Sequence, residues 1–324
     1  LQETTFVMTP KQTIREAFVE ASSFLSGCGV TEPQRSAQLL LEHVLGLEGA
    51  AYYMALPEPF PAERREAWER AVSRRGSGEP AQYIIGMQEF YGIPFEVTPA
   101  VLIPRPETEL LVEAVLAQAG RLWPEGAAHG GGLGGTAAPG DGAAGKNGAE
   151  RRLECADIGT GSGAIAVTLA LHAPRWHVRA SDISASALRV AARNAAANGA
   201  QVDFLEGNLL EPFAGAWLDI LVSNPPYIPA ADIAGLQREV RDHEPRTALD
   251  GGTDGLAPYR LMMEQLTLLQ APPRLIAFEL GQGQAREVAQ LLRAAGHWDD
   301  IIIVPDLAGI ERHVIGVSNM PRQR

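Results

Sequence analysis

Cysteine is scarce in this chain, with two in 324 residues, Cys28 and Cys155. They fall in different expected elements and lack a Cys-x-x-Cys spacing. That excludes a disulfide framework and a thiolate metal site, and it fits reduced thiols in a cytoplasmic protein. The seven histidines show no His-x-x-x-His pairing, so no metal is implied. Long apolar runs are missing too. No stretch approaches the ~20 residues that a membrane span needs. Leu1 to Pro10 is mixed polar, without the basic start and apolar run of a secretory leader, so none is expected there. Positive charge is outnumbered, with 27 Lys and Arg against 39 Asp and Glu, a net charge of −12. Sequence-independent nucleic-acid binding draws its affinity from neutralised phosphates, so no direct nucleic-acid partner is expected.

What remains is ordinary globular composition, 46% hydrophobic and 20% charged. The first stretch reads as helices. Thr13-Ile14-Arg15-Glu16 has the form of a capping box, and Ile14, Ala17, Phe18, Ala21, Phe24 and Leu25 follow at helical spacing. A second helix is expected to start at Thr31-Glu32-Pro33-Gln34, and a third to run from about Pro61 to Arg75. Together they predict a helical bundle over residues 1–85, and no catalytic cluster appears in it. Residues 86–109 are expected to form a linker. It begins with a β-hairpin turning near Gly92-Ile93-Pro94 and ends in Ile103-Pro104-Arg105-Pro106-Glu107-Thr108-Glu109, with Thr108 as the cap of the next helix. Residues 127–148 are Gly- and Ala-rich and predict a flexible insertion.

From Leu153 strands and helices alternate, which predicts a mostly parallel α/β sheet with helices on both faces. Ile301–Val304 and His313–Val317 are expected to close it as an antiparallel hairpin. Ligands of such sheets sit beyond the carboxyl ends of the strands. Gly159-Thr160-Gly161-Ser162-Gly163 follows the first of these strands and opens a helix, a place where backbone approaches a ligand closely and N–H groups are expected to be free. Asp182 ends the next strand, where a carboxylate meets ribose hydroxyls. These features suit either a nicotinamide dinucleotide or S-adenosylmethionine. Ser223-Asn224-Pro225-Pro226-Tyr227 separates the two. The Asn224 side-chain oxygen and the Pro225 carbonyl each suit one N–H of a planar NH2 group. The two prolines fix that carbonyl's direction, and Tyr227 offers a ring to the planar acceptor.

With these residues in view, the chain resembles the release factor glutamine methyltransferases (the PrmC or HemK family) over nearly its whole length. The resemblance rests on Gln82-Tyr83-Ile84 with Gly86, Glu89-Phe90-Tyr91-Gly92, and above all Ile103 to Glu109. Asp157 to Ala166, Asp182 and Asn224 to Ile228 match the catalytic domain. Glu244-Pro245-Arg246 with Ala248 to Gly252 matches a stretch after the active site, and Asp306 with Ala308-Gly309 and Arg312 resembles the C-terminal hairpin. The resemblance implies a Rossmann-like class I methyltransferase domain over 110–324 behind an N-terminal substrate-recognition domain. It implies transfer of a methyl group from S-adenosylmethionine to the N5 of the glutamine in the Gly-Gly-Gln loop of class 1 peptide-chain release factors. Gly159, Thr160, Gly161, Ser162, Gly163, Asp182 and Asn224 would hold the cofactor. So would Asn208 and Leu209, which stand where many relatives carry an acid and often an aromatic. Asn224, Pro225, Pro226 and Tyr227 would hold the glutamine, with Asn224, Pro225 and Tyr227 serving catalysis. The alternatives are an adenine-N6 nucleic-acid methyltransferase, which shares the NH2 logic, and a catalytically silent binding module.

Overall fold

The computed structural model describes residues 5–124 and 152–320. The expected insertion at 127–148 lies outside the described residues. The chain divides into two compact units. One comprises Leu1–Gln88, Val97–Pro99 and Ala234–Glu244, the other Glu89–Glu96, Ala100–Ile233 and Pro245–Arg324.

The first unit is helical. Helix α1 (Ile14–Gly27) starts at the capping box, with the Glu16 amide donating to Thr13 Oγ1 and the Thr13 amide donating to Glu16 Oε2. Helix α2 (Pro33–Leu45) has proline in its first turn and ends at Gly46 in the left-handed conformation. Helices α3 (Gly49–Ala55), α4 (Arg65–Gly76) and α5 (Ala81–Ile85) follow. Helices α3 and α5 had no sequence expectation, because seven and five residues are too few to display a period. The core of this unit gathers Ala17, Ala21, Leu25, Leu40, Leu41, Trp68 and Val72. The unit is not continuous in sequence. Helix α9 (Arg238–His243, numbered by its place in the chain) belongs to it, and Glu239 forms an ion pair with the buried Arg75.

Strand β1 (Met87–Phe90), whose first two residues are counted with the first unit, and β2 (Ile93–Glu96) form a two-stranded sheet. The turn is Tyr91-Gly92, both residues with positive φ, as a tight two-residue hairpin requires. Ile93 and Pro94, expected near the turn, lie in β2 instead. Helix α6 (Pro106–Leu122) starts one turn earlier than expected, with Arg105 at its cap and Pro106 in its first turn. Thr108 therefore lies inside the helix and caps nothing.

The alternation then runs β3 (Glu154–Ile158), α7 (Ala164–His172), β4 (His177–Asp182), α8 (Ala185–Asn198), β5 (Val202–Glu206) and β6 (Ile220–Ser223). It continues through α10 (Ala257–Gln265), β7 (Leu275–Glu279), α11 (Ala285–Ala295), β8 (Asp300–Pro305) and β9 (Glu311–Val317). The main sheet has seven strands in the order β5-β4-β3-β6-β7-β9-β8. Strands β3 to β7 run parallel, and β9 pairs antiparallel with both β7 and β8. Side chains alternate between two cores with the period of a strand. Cys155, Val178, Ala180, Ile220, Val222 and Ala277 pack with α6 and α7 on one face. Ala156, Ile158, Leu221, Ile276 and Phe278 pack with α10 and α11 on the other. The strand order reverses between β3 and β6, which opens a crevice at their carboxyl ends. No helix among the described residues is long and apolar enough to cross a membrane.

Candidate active site

A cavity of about 570 Å³ occupies that crevice. Its wall includes Gly159, Thr160, Gly161 and Ser162 after β3, Asp182 at the end of β4, Asn208 and Leu209 after β5, and Asn224 and Pro226 after β6. Four strand ends thus bring nine of the sequence-derived site residues to one place.

The glycine loop is held by its neighbours more tightly than expected. The amides of Gly159 and Thr160 both donate to the Ser181 carbonyl, at 2.8 and 2.9 Å, and the Gly161 amide donates to Asp182 Oδ2 at 2.9 Å. These N–H groups are not free, as the sequence reading expected; β4 uses them to fix the loop. Gly159 and Gly161 have positive φ and open space where a Cβ would stand, so glycine is required there by conformation. Gly163 does not line the cavity. It too has positive φ, and an added Cβ would press against Ala191 of α8 at 3.1 Å, so it serves packing.

Asp182 accepts the Gly161 amide on Oδ2 and the Ser184 amide on Oδ1. The carboxylate keeps lone-pair capacity for a ligand hydroxyl. Burial raises its pKa, while the backbone amides of Ser184, Gly161 and Ile183 oppose the shift. Behind the loop sits Asp157, fully buried, accepting from Thr160 Oγ1 at 2.6 Å and the Ala166 amide at 3.2 Å. Desolvation pushes its pKa up to about 7. Asp157 ties the loop to the first turn of α7, a role its place in the motif does not announce.

Beyond β5 the backbone at Leu209 takes the left-handed conformation, φ 53°, unusual for leucine. Its carbonyl accepts from Ser181 Oγ, and the next amide, of Leu210, donates to Gln265 Oε1 at 2.8 Å. These bonds hold the kink that brings Asn208 and Leu209 to the cavity.

The Asn224–Tyr227 loop departs from β6, where Ser223 Oγ donates to the Ile158 carbonyl at 2.6 Å. Asn224 Nδ2 donates to Thr108 Oγ1 at 3.2 Å. Thr108 Oγ1 in turn donates to Glu279 Oε2 at 2.6 Å. When Glu279 is ionised it only accepts, so the threonine hydroxyl spends its proton on Glu279 and accepts from asparagine. That fixes the asparagine amide with Nδ2 inward and leaves Oδ1 without a partner among the described residues. Glu279 is almost wholly buried. Desolvation pushes its pKa up to about 7, against the hydrogen bonds from Thr108 and Asn224 and the charge of Arg312.

Pro225 and Tyr227 do not line the cavity. Pro225 is buried, and Tyr227 packs against the core shared with α10 and α11. Burial pushes the Tyr227 phenol up to about 12, so it stays neutral. The Tyr227 carbonyl accepts from Gln284 Nε2 at 2.9 Å. The stretch Leu249 to Gly252 runs alongside, the Ile228 amide donating to the Leu249 carbonyl and the Gly251 amide to the Ile228 carbonyl. Arg105, Thr108, Pro245 and Arg246 also line the cavity. Residue reasoning assigned none of them a part in the site, although each lies in a segment that carries the family resemblance.

Residues 16–86 match the model of the PrmC N-terminal domain, and residues 147–238 match that of the methyltransferase small domain. The release factor glutamine methyltransferase of Moorella thermoacetica is 42% identical over 308 residues, covering 93% of this chain and 96% of that protein. The chain belongs to the release factor glutamine methyltransferase family. Members from Bacillus cereus and Bacillus subtilis are each 40% identical, over 93% and 94% of this chain and 98% and 97% of their own. Family membership unites the two units under one activity.

Proposed function

We propose that this chain methylates the side-chain amide nitrogen, N5, of the glutamine in the Gly-Gly-Gln motif of class 1 peptide-chain release factors, in the cytoplasm. S-adenosylmethionine supplies the methyl group on a sulfonium, an electrophile that needs no further activation. The cavity fits that cofactor. Asp182 has lone pairs facing it, the glycines leave space where Cβ atoms would intrude, and Leu209 offers an apolar wall.

The observation that carries the reading is the anchored amide of Asn224. With Nδ2 held by Thr108, Oδ1 is the atom left for a substrate N–H. We assign the second N–H to the main-chain carbonyl of Pro225, which the substrate reaches beyond the cavity wall that Asn224 and Pro226 form. Two acceptors on one NH2 orient the nitrogen lone pair, which amide resonance otherwise withdraws into the carbonyl. As the nitrogen gains positive charge in the transition state, the same two oxygens stabilise it. Positioning supplies much of the remainder. Tyr227 and Pro226 support the loop, and the departing proton leaves to water. The helical unit provides recognition of the release factor and takes no part in the chemistry.

The test is incubation with S-adenosylmethionine and, side by side, release factor, duplex DNA and transfer RNA. Mass spectrometry of the Gly-Gly-Gln peptide is expected to find one added methyl on glutamine, with none on either nucleic acid. Methylated adenine with unmodified glutamine would replace this reading by the nucleic-acid alternative.

A further inference from the structure

The position of Asn224 depends on a group that touches neither cofactor nor substrate. Glu279 is the last residue of β7, and its main-chain carbonyl accepts from Tyr259 Oη at 2.7 Å. Its side chain accepts from Thr108 in the first turn of α6 and also from the Asn224 side chain, and Thr108 itself meets Asn224. We propose that Glu279 and Thr108 are positioning residues whose hydrogen-bond polarity sets the orientation of the Asn224 amide, and that the enzyme transfers methyl only while Glu279 is an acceptor. The proposal rests on the role given above to Asn224 Oδ1.

Donors and acceptors set the orientation. An asparagine amide is nearly symmetric in shape, so packing alone does not distinguish its two orientations. The chain Asn224 to Thr108 to Glu279 distinguishes them. With Glu279 ionised, threonine must donate to it and accept from Nδ2, and Oδ1 faces the cavity. With Glu279 protonated, its hydroxyl donates to Thr108, and the threonine proton turns toward Asn224. The favoured amide then has Oδ1 inward and NH2 toward the substrate, donor against donor.

Several groups face Glu279 from the elements packed on it. Glu107 of α6 opposes its ionisation, and Arg312 of β9 favours it. His313 is its register partner on β9 and is held neutral by burial. Tyr227 and Tyr259 are neutral phenols. Burial is the largest influence and brings the carboxyl pKa up to about 7. The acceptor state is therefore lost as pH falls through neutrality.

The experiment uses the full-length enzyme with intact release factor. It measures single-turnover methylation at saturating cofactor across pH, and cofactor affinity by calorimetry. Wild type is expected to show an acid limb near pH 7. Thr108→Val is expected to lower the rate by roughly up to 10²-fold with cofactor affinity unchanged, and Thr108→Ser to restore most of it. Glu279→Gln keeps the shape but does not titrate, so its acid limb is expected to disappear. A wild-type rate in Thr108→Val, or an unchanged acid limb in Glu279→Gln, overturns the proposal. Asn224→Ala is measured beside them. Full activity there overturns the role of Asn224 itself, whereas a dead Asn224→Ala beside an unimpaired Thr108→Val overturns the relay alone.

Discussion

Asn224 shows how one atom's surroundings decide what a substitution does. Aspartate keeps an acceptor oxygen of the same shape, and from sequence it is expected to outperform alanine if the oxygen alone matters. The structure adds that Nδ2 donates to Thr108, next to the buried Glu279. Aspartate at 224 places a second carboxylate there without a donor, and like charges at a buried site oppose each other. Asn224→Asp is therefore expected to be no better than Asn224→Ala, each losing a factor of ~10²–10³ in turnover. Single-turnover rates at saturating cofactor check this. Asp182→Ala is expected to weaken S-adenosylmethionine binding strongly while leaving the glycine loop short of one acceptor, because Asp182 also holds the Gly161 amide. Unchanged affinity by calorimetry would remove Asp182 from the cofactor site. His313 makes a stability prediction. It is fully buried, and desolvation lowers its pKa from 6.5 to about 4. The unfolded chain binds the proton more readily, so the contribution of the neutral ring is present above pH 6.5 and is lost as pH falls toward 4. The acid loss attributable to it is on the order of 1–3 kcal/mol. Urea melts at pH 7 and pH 5 should show a smaller difference for His313→Gln than for wild type. Asp157 and Glu279 act in the opposite sense, since their raised values make the folded state lose stability as pH climbs from about 4 to 7.

At the scale of elements, the loop from Asn224 to Tyr227 is shaped by segments far from it in sequence. Gly255 has φ 76°, and a Cβ there would stand 2.2 Å from the Tyr227 carbonyl oxygen and 2.4 Å from Gln284 Nε2. Gly255→Ala is expected to displace the Tyr227 carbonyl and break its bond to Gln284. The rate at saturating cofactor should fall with cofactor affinity near wild type, and the melting temperature should drop by an amount matching about 1–3 kcal/mol. A variant with wild-type turnover would show that the loop does not depend on this clamp. The elements themselves were unevenly legible. Capping chemistry placed the start of α1, and left-handed glycines, Gly46 and Gly199, close α2 and α8. Helix α11 had no sequence expectation, although Val288, Ala289 and Leu292 give it a buried face, because Gln284 offers no capping side chain and a run of Gly and Gln precedes it. Thr108 was misread as a cap because the signal for a helix start, proline at the first turn, lies two residues before it.

For the whole molecule, the discontinuous helical unit changes how recognition is tested. A cut at residue 85 would leave residues 234–244 behind, with Glu239 separated from the buried Arg75. Point changes on α3 are cleaner. Tyr53 and Met54 are 61% and 75% exposed, large apolar side chains that no fold requirement places on the surface. Replacing both by alanine is expected to raise KM for intact release factor several-fold, with kcat and cofactor affinity unchanged. Unaltered kinetics with the intact protein would place recognition elsewhere.

The amino-acid sequence by itself determined the alternation of strands and helices, the antiparallel close, and the acid and tetrapeptide at the strand ends. Those are local properties, carried by periodicity, caps and turns within a few residues of one another. The part of the cavity's lining that comes from the strand ends was legible for the same reason, since a parallel sheet puts successive strand ends side by side. Only the tertiary structure decided what supports them. Glu279, Thr108 and Asn224 lie more than fifty residues apart along the chain, and Gln284 lies 57 residues from Tyr227, whose carbonyl it holds. Their relation depends on strand order and on burial. A threonine in a helix reads as a cap or a surface residue until the fold sets a buried carboxylate against its hydroxyl, and the direction of a hydrogen bond is fixed only when both partners are in place.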